Sequence, residues 1–252
     1  MTEESTFDMP FLEHLEELRW RLLKSLISIV IFSIASWFFV DYVVNMLAGF
    51  VGQVYFMAPT EAFMVRIKIS VIMGIVLSVP VIFYQLWMFI SPGLYRHEKS
   101  YVVPVVLAST FFFVVGGSFC YFVVLPNALH FLMGYSTDLM TPLISISNLI
   151  TFCAYLILAF GLVFELPVVA FFLGRIGLVN SKKLAKGRRY AVVVALIVGA
   201  SLTPPDVFSQ IMLAAPVLIL YELSIWIVKF TGRERKRDDS FDQDERDIGL
   251  FG

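Results

Sequence analysis

The chain has 252 residues, of which 59% are hydrophobic and only 15% charged, and its mean hydropathy is +0.83. This composition excludes an ordinary soluble domain, because most of such a chain requires a lipid environment. The net charge of −1 says little by itself, since in a membrane protein the positions of the basic residues carry the information. Cys120 and Cys153 lie in apolar stretches and indicate neither a disulfide framework nor a metal cluster.

The amino-terminal segment, MTEESTFDMPFLEHLEEL, is acidic and polar, and so lacks the basic and apolar regions of a cleaved signal peptide. Six apolar segments follow, and a transmembrane helix needs about 20 such residues. They lie at about 22–40, 69–89, 101–125, 149–173, 190–205 and 207–228. We therefore expect an all-α, polytopic integral membrane protein with six transmembrane helices in residues 1–230. The charged tail at 231–252 is expected to be disordered.

The last two predicted helices are short. Their uncharged stretches, 190–205 and 207–221, correspond to roughly 24 and 22 Å of helix at 1.5 Å per residue. The TPPD sequence at 203–206 predicts a tight hairpin between them, with Asp206 capping the last helix. Two interpretations of the short length stay open. Either the bilayer thins beside this hairpin, or each helix extends by a turn, with Arg189 or Lys229 reaching the interface.

The basic residues predict the orientation of the chain. In a six-helix arrangement all nineteen Lys and Arg residues fall on one side except Arg66 and Lys68. A five- or seven-helix arrangement would scramble this separation. The excess of basic residues in cytoplasmic segments then predicts that both termini lie in the cytoplasm.

Carboxylates cluster on the predicted cytoplasmic side. Glu13, Glu16 and Glu17 share one face near the start of the first helix, and Glu17 precedes Arg21 by four residues. A simple interpretation is that these acids complement the helix dipole and pair locally. Glu98, flanked by Arg96, His97 and Lys99, lies in the turn after the second helix and could balance those cations. Alternatively, two carboxylates on one membrane face could bind two guanidinium groups through paired hydrogen bonds.

Glu165 lies inside the fourth predicted helix, two residues before Pro167. A charged residue at the centre of a span costs about 2.5–3.5 kcal/mol, so this side chain requires an explanation. The helix could open at Pro167 and satisfy the carboxyl without any function. Otherwise Glu165 faces a concave polar pocket. Several helices carry bend-inducing prolines, which would give the bundle a concave wall: Pro80, Pro104, Pro126, Pro167 and Pro216.

Several stretches together resemble the TatC family, over Phe11 to about Trp226: FLEHLEELRWR, YQLWMFISPGLY, SPGLYRHE, FELPV and LTPPDVFSQ. Members of this family are six-helix membrane proteins that recognise signal peptides bearing consecutive arginines. The resemblance implies a receptor subunit of the twin-arginine translocase, which supports proton-gradient-driven export of folded proteins. It also implies partners with a single transmembrane helix, like those of the TatA and TatB families, and self-association.

The resemblance also implies roles for particular residues. Glu17 and Glu98 stand where the family's signal-peptide-binding acids stand, and Arg19, His14 and Phe89 occupy other motif positions. Glu165 corresponds to a glutamate thought to face the cavity where partner helices dock. In LTPPDVFSQ, Gln210 and Asp206 correspond to positions that contact a partner at the outer face, although Asp206 is also suited to cap a helix.

Two other classes of function compete with this interpretation, a secondary transporter and an intramembrane enzyme. A secondary transporter could use Glu165 as an ion relay, but it would normally need more buried ionisable groups, and only His130 is a further weak candidate. An intramembrane enzyme is not indicated, because the sequence has no HExxH pair, no GxSxG elbow and no cofactor-binding glycine pattern. We therefore expect a binding and translocation scaffold that is not an enzyme and uses no cofactor or metal.

Overall fold

The computed structural model describes residues 8–90, 102–134, 143–202 and 207–231, and these ranges are almost wholly helical. Their only β-type pairing is an isolated bridge between Tyr55 and Ser145. The expected all-α fold is therefore confirmed. The α-helices in chain order are α1 (Asp8–Ser36), α2 (Val40–Ala48), α3 (Glu61–Ile90), α4 (Val102–Phe119), α5 (Leu125–Met133), α6 (Ile146–Val163), α7 (Leu166–Arg175), α8 (Ser181–Leu202) and α9 (Val207–Thr231).

Three pairs of these helices join into longer rods with a local irregularity at each junction. A 3₁₀ turn at Trp37–Phe39 links α1 to α2, and a π-helical turn at Cys120–Val124 links α4 to α5. Pro126, two residues after the π-helical turn and at the start of α5, has no N–H with which to continue the regular pattern. Between α6 and α7 the helix breaks at Phe164 and Glu165, just before Pro167.

Five stretches of the described chain are long and apolar enough to cross a membrane: Glu13–Ala48, Glu61–Ile90, Val102–Met133, Ile146–Arg175 and Leu213–Thr231. The fifth predicted span, at 190–205, corresponds to α8, whose first turns are basic and whose second half is apolar. These helices confirm a polytopic membrane protein. The limits of the lipid-embedded parts stay predictions, as does the nature of the tail at 231–252, which lies outside the described residues.

The α1 and α3 helices pack against each other in antiparallel directions along most of their length. Gly74 allows their closest approach, because a Cβ atom there would overlap Ser33 Oγ and lie 2.7 Å from Ser33 N. The α3 helix also contacts α4 and α6, and a core cluster that includes Ile69, Leu125 and Phe160 fills the space between them. This packing fixes the amino-terminal end of α1 against the carboxyl-terminal end of α3.

The α8 and α9 helices form an antiparallel pair that also packs on α7. Tyr221 Oη donates a 2.8 Å hydrogen bond to the Leu184 carbonyl, and Gln210 Nε2 donates a 3.0 Å hydrogen bond to the Leu196 carbonyl. The two helices have 22 and 25 residues and thus extend beyond the uncharged stretches at their centres. Residues 203–206 lie outside the described ranges, so the tight hairpin predicted there stays a prediction, as does thinning of the bilayer beside this pair.

The end of the bundle opposite the amino terminus, here called the outer end, is held by a carboxylate. Glu61 Oε1 accepts hydrogen bonds from Ser145 Oγ at 2.5 Å and from Ser147 N at 3.0 Å, and Glu61 Oε2 accepts one from Met57 N. The Tyr55 N–H and carbonyl also pair with Ile144 and Ile146. The start of α3 is thereby tied to the segment that leads into α6.

Both basic residues predicted for the outer side lie at this outer end. Arg66 pairs with Asp41, with 2.6 Å between Nη2 and Oδ1, and Lys68 Nζ donates to Ser147 Oγ at 2.9 Å. The structure therefore separates these two cations from the basic residues at the opposite end of the bundle, in agreement with the six-helix arrangement. Which end faces the cytoplasm stays a prediction.

Candidate functional site

The first candidate site lies at the amino-terminal end of α1, around Glu17. Arg21 donates two hydrogen bonds to Glu17 Oε1, from Nε at 2.9 Å and from Nη2 at 2.5 Å. Glu17 Oε2 has a weaker neighbour, because His14 Nδ1 lies 3.7 Å away. The Glu17 side chain is 32% exposed, whereas that of Arg21 is 17% exposed. One carboxylate oxygen is thus neutralised locally, and the other stays available to an incoming donor.

The carboxyl-terminal end of α3 supplies the other side of this site. The His14 ring stacks on the Phe89 ring, with centroids 4.3 Å apart and planes 13° apart. Arg21 Nη1 also lies 3.4 Å from Gln85 Oε1, at the limit of a hydrogen bond. The antiparallel packing of α1 and α3 therefore brings together three predicted residues, His14, Glu17 and Phe89. The sequence analysis did not single out Gln85, although it lies one helical turn before Phe89.

The other predicted residues of this site are placed differently. Arg19 is exposed on α1 and takes no part in the contacts among Glu17, His14 and Phe89. Glu98 lies outside the described residues, eight positions beyond the end of α3 at Ile90. Its position relative to Glu17 therefore stays a prediction, which rests on the short connection between α3 and α4.

The second candidate site is the carboxyl group of Glu165, which is 7% exposed. It follows Phe164 at the break between α6 and α7, where Glu165 N donates to the Leu162 carbonyl at 3.1 Å rather than continuing the α-helical pattern. Ser109 on α4 hydrogen-bonds the carboxyl group, and Trp87 Nε1 on α3 donates to Ser109 Oγ at 3.3 Å. Glu165 Oε1 has no hydrogen-bond partner in the described part of the chain.

This arrangement shows how an acid is accommodated in an apolar core. Trp87 on α3, Ser109 on α4 and Glu165 at the break between α6 and α7 are linked in series by hydrogen bonds, and these three residues are here called the polar chain. A buried polar atom without a partner costs about 1–3 kcal/mol, so the free oxygen marks this position as incompletely satisfied. Trp87 and Ser109 were not predicted as site residues, because neither side chain is charged and nothing in the sequence relates their positions on their helices to Glu165.

An apolar groove of about 300 Å³ lies next to this polar chain, between α4 and α7. Ala108 and Pro167 line it, and Ala108 directly precedes Ser109 while Pro167 follows Glu165 by two residues, although neither Ser109 nor Glu165 itself lines the groove. Phe171 and Ile227 extend the groove toward the end of α9. The groove is lined by apolar residues only, so the concave polar pocket expected at Glu165 stays a prediction.

The third set of predicted residues lies where α8 and α9 approach each other at the outer end. Gln210 is half-buried and hydrogen-bonds the Leu196 carbonyl, and a Cβ atom on Gly199 would lie 3.0 Å from the Gln210 carbonyl oxygen. Its side chain therefore joins the two helices within this chain. Asp206 lies outside the described residues, so both its capping role and its contact with a partner stay predictions.

Metal and cofactor binding were also considered for these sites. Within the described ranges, no group of three or more His, Cys, Asp or Glu side chains is placed to hold a metal ion. His130, the weak candidate for a relay, is exposed near the end of α5 and lies outside the polar chain that contains Glu165.

Comparisons with known proteins agree with this arrangement. Residues 13–216 match the family model described as Sec-independent protein translocase protein (TatC). The TatC protein of Desulforapulum autotrophicum is 41% identical over 95% of this chain and 91% of its own length, and that of Aquifex aeolicus is 41% identical over 90% and 98%.

A solved structure has the same fold. The crystal structure of a twin-arginine translocase receptor, TatC, is similar with a TM-score of 0.78 and 40% sequence identity, over 87% of this chain and 100% of that one. Similarity of sequence and structure over most of both chains establishes common descent and a common architecture. The chain belongs to the TatC family of Sec-independent protein translocase proteins.

Proposed function

We propose that this protein is the subunit of the twin-arginine translocase that binds twin-arginine signal peptides at the cytoplasmic face of the bacterial cytoplasmic membrane. With single-span partner subunits it supports proton-gradient-driven export of folded proteins. The family is one of translocase components and not of enzymes. The observation that supports the receptor role best is the site at the end of α1, where Glu17 Oε2 has only His14 Nδ1 as a neighbour, at 3.7 Å, and lies beside an aromatic stack.

The chemistry of this site suits a guanidinium group. An incoming arginine can donate to Glu17 Oε2 while Arg21 keeps Oε1. The planar guanidinium can also stack on the face of the half-exposed His14 ring that is turned away from Phe89, which a lysine ammonium would do less well. The second arginine of the signal peptide is assigned to Glu98, in the segment between α3 and α4 that lies outside the described residues.

This assignment requires the amino-terminal end of α1 to face the cytoplasm. The distribution of basic residues supports that orientation. Arg66 binds Asp41 and Lys68 binds Ser147 at the outer end, whereas α8 begins with a dense basic segment at the opposite end. Signal peptides wait in the cytoplasm, so the orientation and the receptor role depend on each other.

The receptor role is tested directly with the purified full-length protein. We expect a labelled peptide with two consecutive arginines to bind at least about tenfold more tightly than the same peptide with two lysines, because only arginine forms the paired hydrogen bonds. Immobilised peptide should also recover small single-span membrane proteins from solubilised membranes through this protein. Equal binding of the arginine and lysine peptides would refute the proposed recognition.

The partner role is proposed for Glu165. The carboxyl group of Glu165 is linked to Ser109 and Trp87, but its Oε1 atom has no partner among the described residues. The apolar groove between α4 and α7 is lined by Ala108 and Pro167, one and two residues away from Ser109 and Glu165. We assign the groove between α4 and α7 to the transmembrane helix of a single-span partner. A polar group of that helix would donate a hydrogen bond to Glu165 Oε1 once the backbone at the break between α6 and α7 moves to expose it. Gln210 and Asp206 are assigned to a second contact with partners at the outer end.

Replacement of Glu165 by Leu is expected to abolish most association with the single-span partner while the protein itself stays folded. An apolar group of similar size in place of a partly satisfied buried acid is often neutral for stability. Copurification of the partner and export of a folded reporter protein measure the effect. Glu165→Gln is the matched control, because it keeps a hydrogen-bonding group of the same size and should retain more association than Glu165→Leu.

The alternative of a secondary transporter with Glu165 as an ion relay is not supported, because the family consists of protein translocase components. Glu165 is the one acid in the polar chain of Trp87, Ser109 and Glu165, so these three residues provide no series of titratable groups along which an ion could move. Self-association is proposed from the family resemblance alone.

A further inference from the structure

A second cavity, separate from the groove between α4 and α7, lies between the first turns of α8 and the last turns of α9. Its volume is about 260 Å³, and three basic side chains line it: Lys182, Arg188 and Lys229. The rest of the wall comes from Ser181, Ala185, Ile225 and Trp226. Neither the receptor role nor the partner role proposed above uses any of these residues.

The charges around this cavity are not balanced within the described chain. Arg188 is paired, because its Nε and Nη2 atoms bind the two carboxylate oxygens of Glu222 at 2.7 and 2.9 Å. Lys229 Nζ lies 5.7 Å from the centroid of the Trp226 ring, and Lys182 is exposed. From α7 to α9, the described residues contain seven Lys and Arg residues and one acid, Glu222. Lys182 and Lys229 therefore present surplus positive charge to the cavity.

The surroundings of the cavity are those of a membrane interface. Trp226 is 57% exposed and Phe230 is 76% exposed, and their ring centroids lie 6.0 Å apart. Tyr190 is exposed on α8, and the apolar side chains of Val193, Val194 and Ile197 are exposed along the same helix beyond it. Aromatic residues at the level of the headgroups next to an apolar helix surface are typical of the boundary between headgroups and acyl chains.

We propose that this cavity binds the headgroup of an anionic phospholipid. The phosphodiester oxygens accept hydrogen bonds from Lys182 and Lys229, and the Ser181 hydroxyl and the Arg188 edge complete the polar wall. The acyl chains lie along the exposed apolar surface of α8. A lipid fits better than a free anion, because burial of its chains on that surface adds to the attraction between opposite charges. The net positive charge favours an anionic headgroup over a zwitterionic one.

The test compares two double variants that remove the same charge from the full-length protein. Lys182→Gln with Lys229→Gln removes the two unpaired cations of the cavity. Lys183→Gln with Lys186→Gln removes two exposed cations of α8 that do not line it. Occupancy by phosphatidylglycerol, by phosphatidylcholine and by inorganic phosphate is measured by native mass spectrometry in neutral detergent. Thermal unfolding checks that each variant is folded.

We expect the unmodified protein to bind phosphatidylglycerol at least about tenfold more tightly than phosphatidylcholine. The Lys182→Gln, Lys229→Gln variant should lose this preference, and the Lys183→Gln, Lys186→Gln variant should keep it within about twofold. Equal losses in both variants would show only diffuse attraction to a basic surface and would overturn the proposal. Displacement of the lipid by an equal concentration of inorganic phosphate would also overturn it, because the site would then be one for soluble anions.

Discussion

Replacement of Glu17 by Gln should weaken binding of a twin-arginine signal peptide by about 10- to 100-fold. A hydrogen bond to a charged group is worth about 1.5–3 kcal/mol at a partly exposed position, and this range corresponds to that change in affinity. The substitution keeps the size of the side chain but removes the charge that an arginine would meet at Oε2. Crosslinking or fluorescence titration with a labelled peptide measures the effect, and Glu98→Ala should weaken binding in the same direction.

Glu16→Gln is the matched control for Glu17→Gln. Glu16 is an exposed neighbour on α1 and takes no part in the contacts with Arg21, His14 and Phe89, so the same loss of charge there should change the affinity by less than about twofold. Unchanged crosslinking in both the Glu17 and the Glu98 variants would remove the receptor assignment. Labelling of single cysteines that placed positions 17 and 98 on opposite membrane surfaces would contradict it as well.

Replacement of Gly74 by Ala should destabilise the whole protein by about 1–3 kcal/mol, although alanine favours helix formation more than glycine does. The added Cβ would overlap Ser33 Oγ and lie 2.8 Å from the Ile29 carbonyl oxygen, so α1 and α3 would have to move apart. Close approach at small residues is a main source of helix association in lipid. The midpoint of thermal unfolding in detergent measures the effect.

Gly117→Ala is the corresponding control on α4. A Cβ at that position would meet only Ile157 Cγ2, at an ordinary contact distance of 3.6 Å, so its stability should be equal or slightly higher. Gly74→Ala should also weaken peptide binding, because separation of α1 and α3 loosens the stack of His14 on Phe89. If the two variants unfold at the same temperature, the packing of α1 on α3 does not depend on Gly74.

Much of this architecture could be predicted from the sequence, because lipid imposes a simple relation between apolar length and a spanning helix. The five long apolar stretches and the helical pair α8 and α9 follow that relation. The interruption at Glu165 could also be predicted, since an acid two residues before a proline is incompatible with a regular helix in lipid. The pairing of Glu17 with Arg21 follows from their spacing of four residues.

Contacts between distant segments could not be predicted in this way. Nothing in the local pattern indicates that Ser109 meets Glu165, or that His14 stacks on Phe89, because these contacts depend on the rotation and depth of whole helices. The helical extent of α8 was also underestimated. Its basic first turns interrupt the apolar pattern, yet they remain helical because Asn180 Oδ1 accepts a hydrogen bond from Lys183 N at the start of the helix.

The bond between Glu17 and Arg21 has a consequence for the kinetics of cargo recognition. In the proposed receptor, Arg21 already neutralises part of the charge of Glu17. A signal-peptide arginine therefore gains less binding free energy than it would from an isolated carboxylate. Weaker binding of this kind favours a short lifetime of the complex and rapid exchange of signal peptides. A translocase that must release each cargo protein before it binds the next benefits from a signal-peptide site of limited affinity.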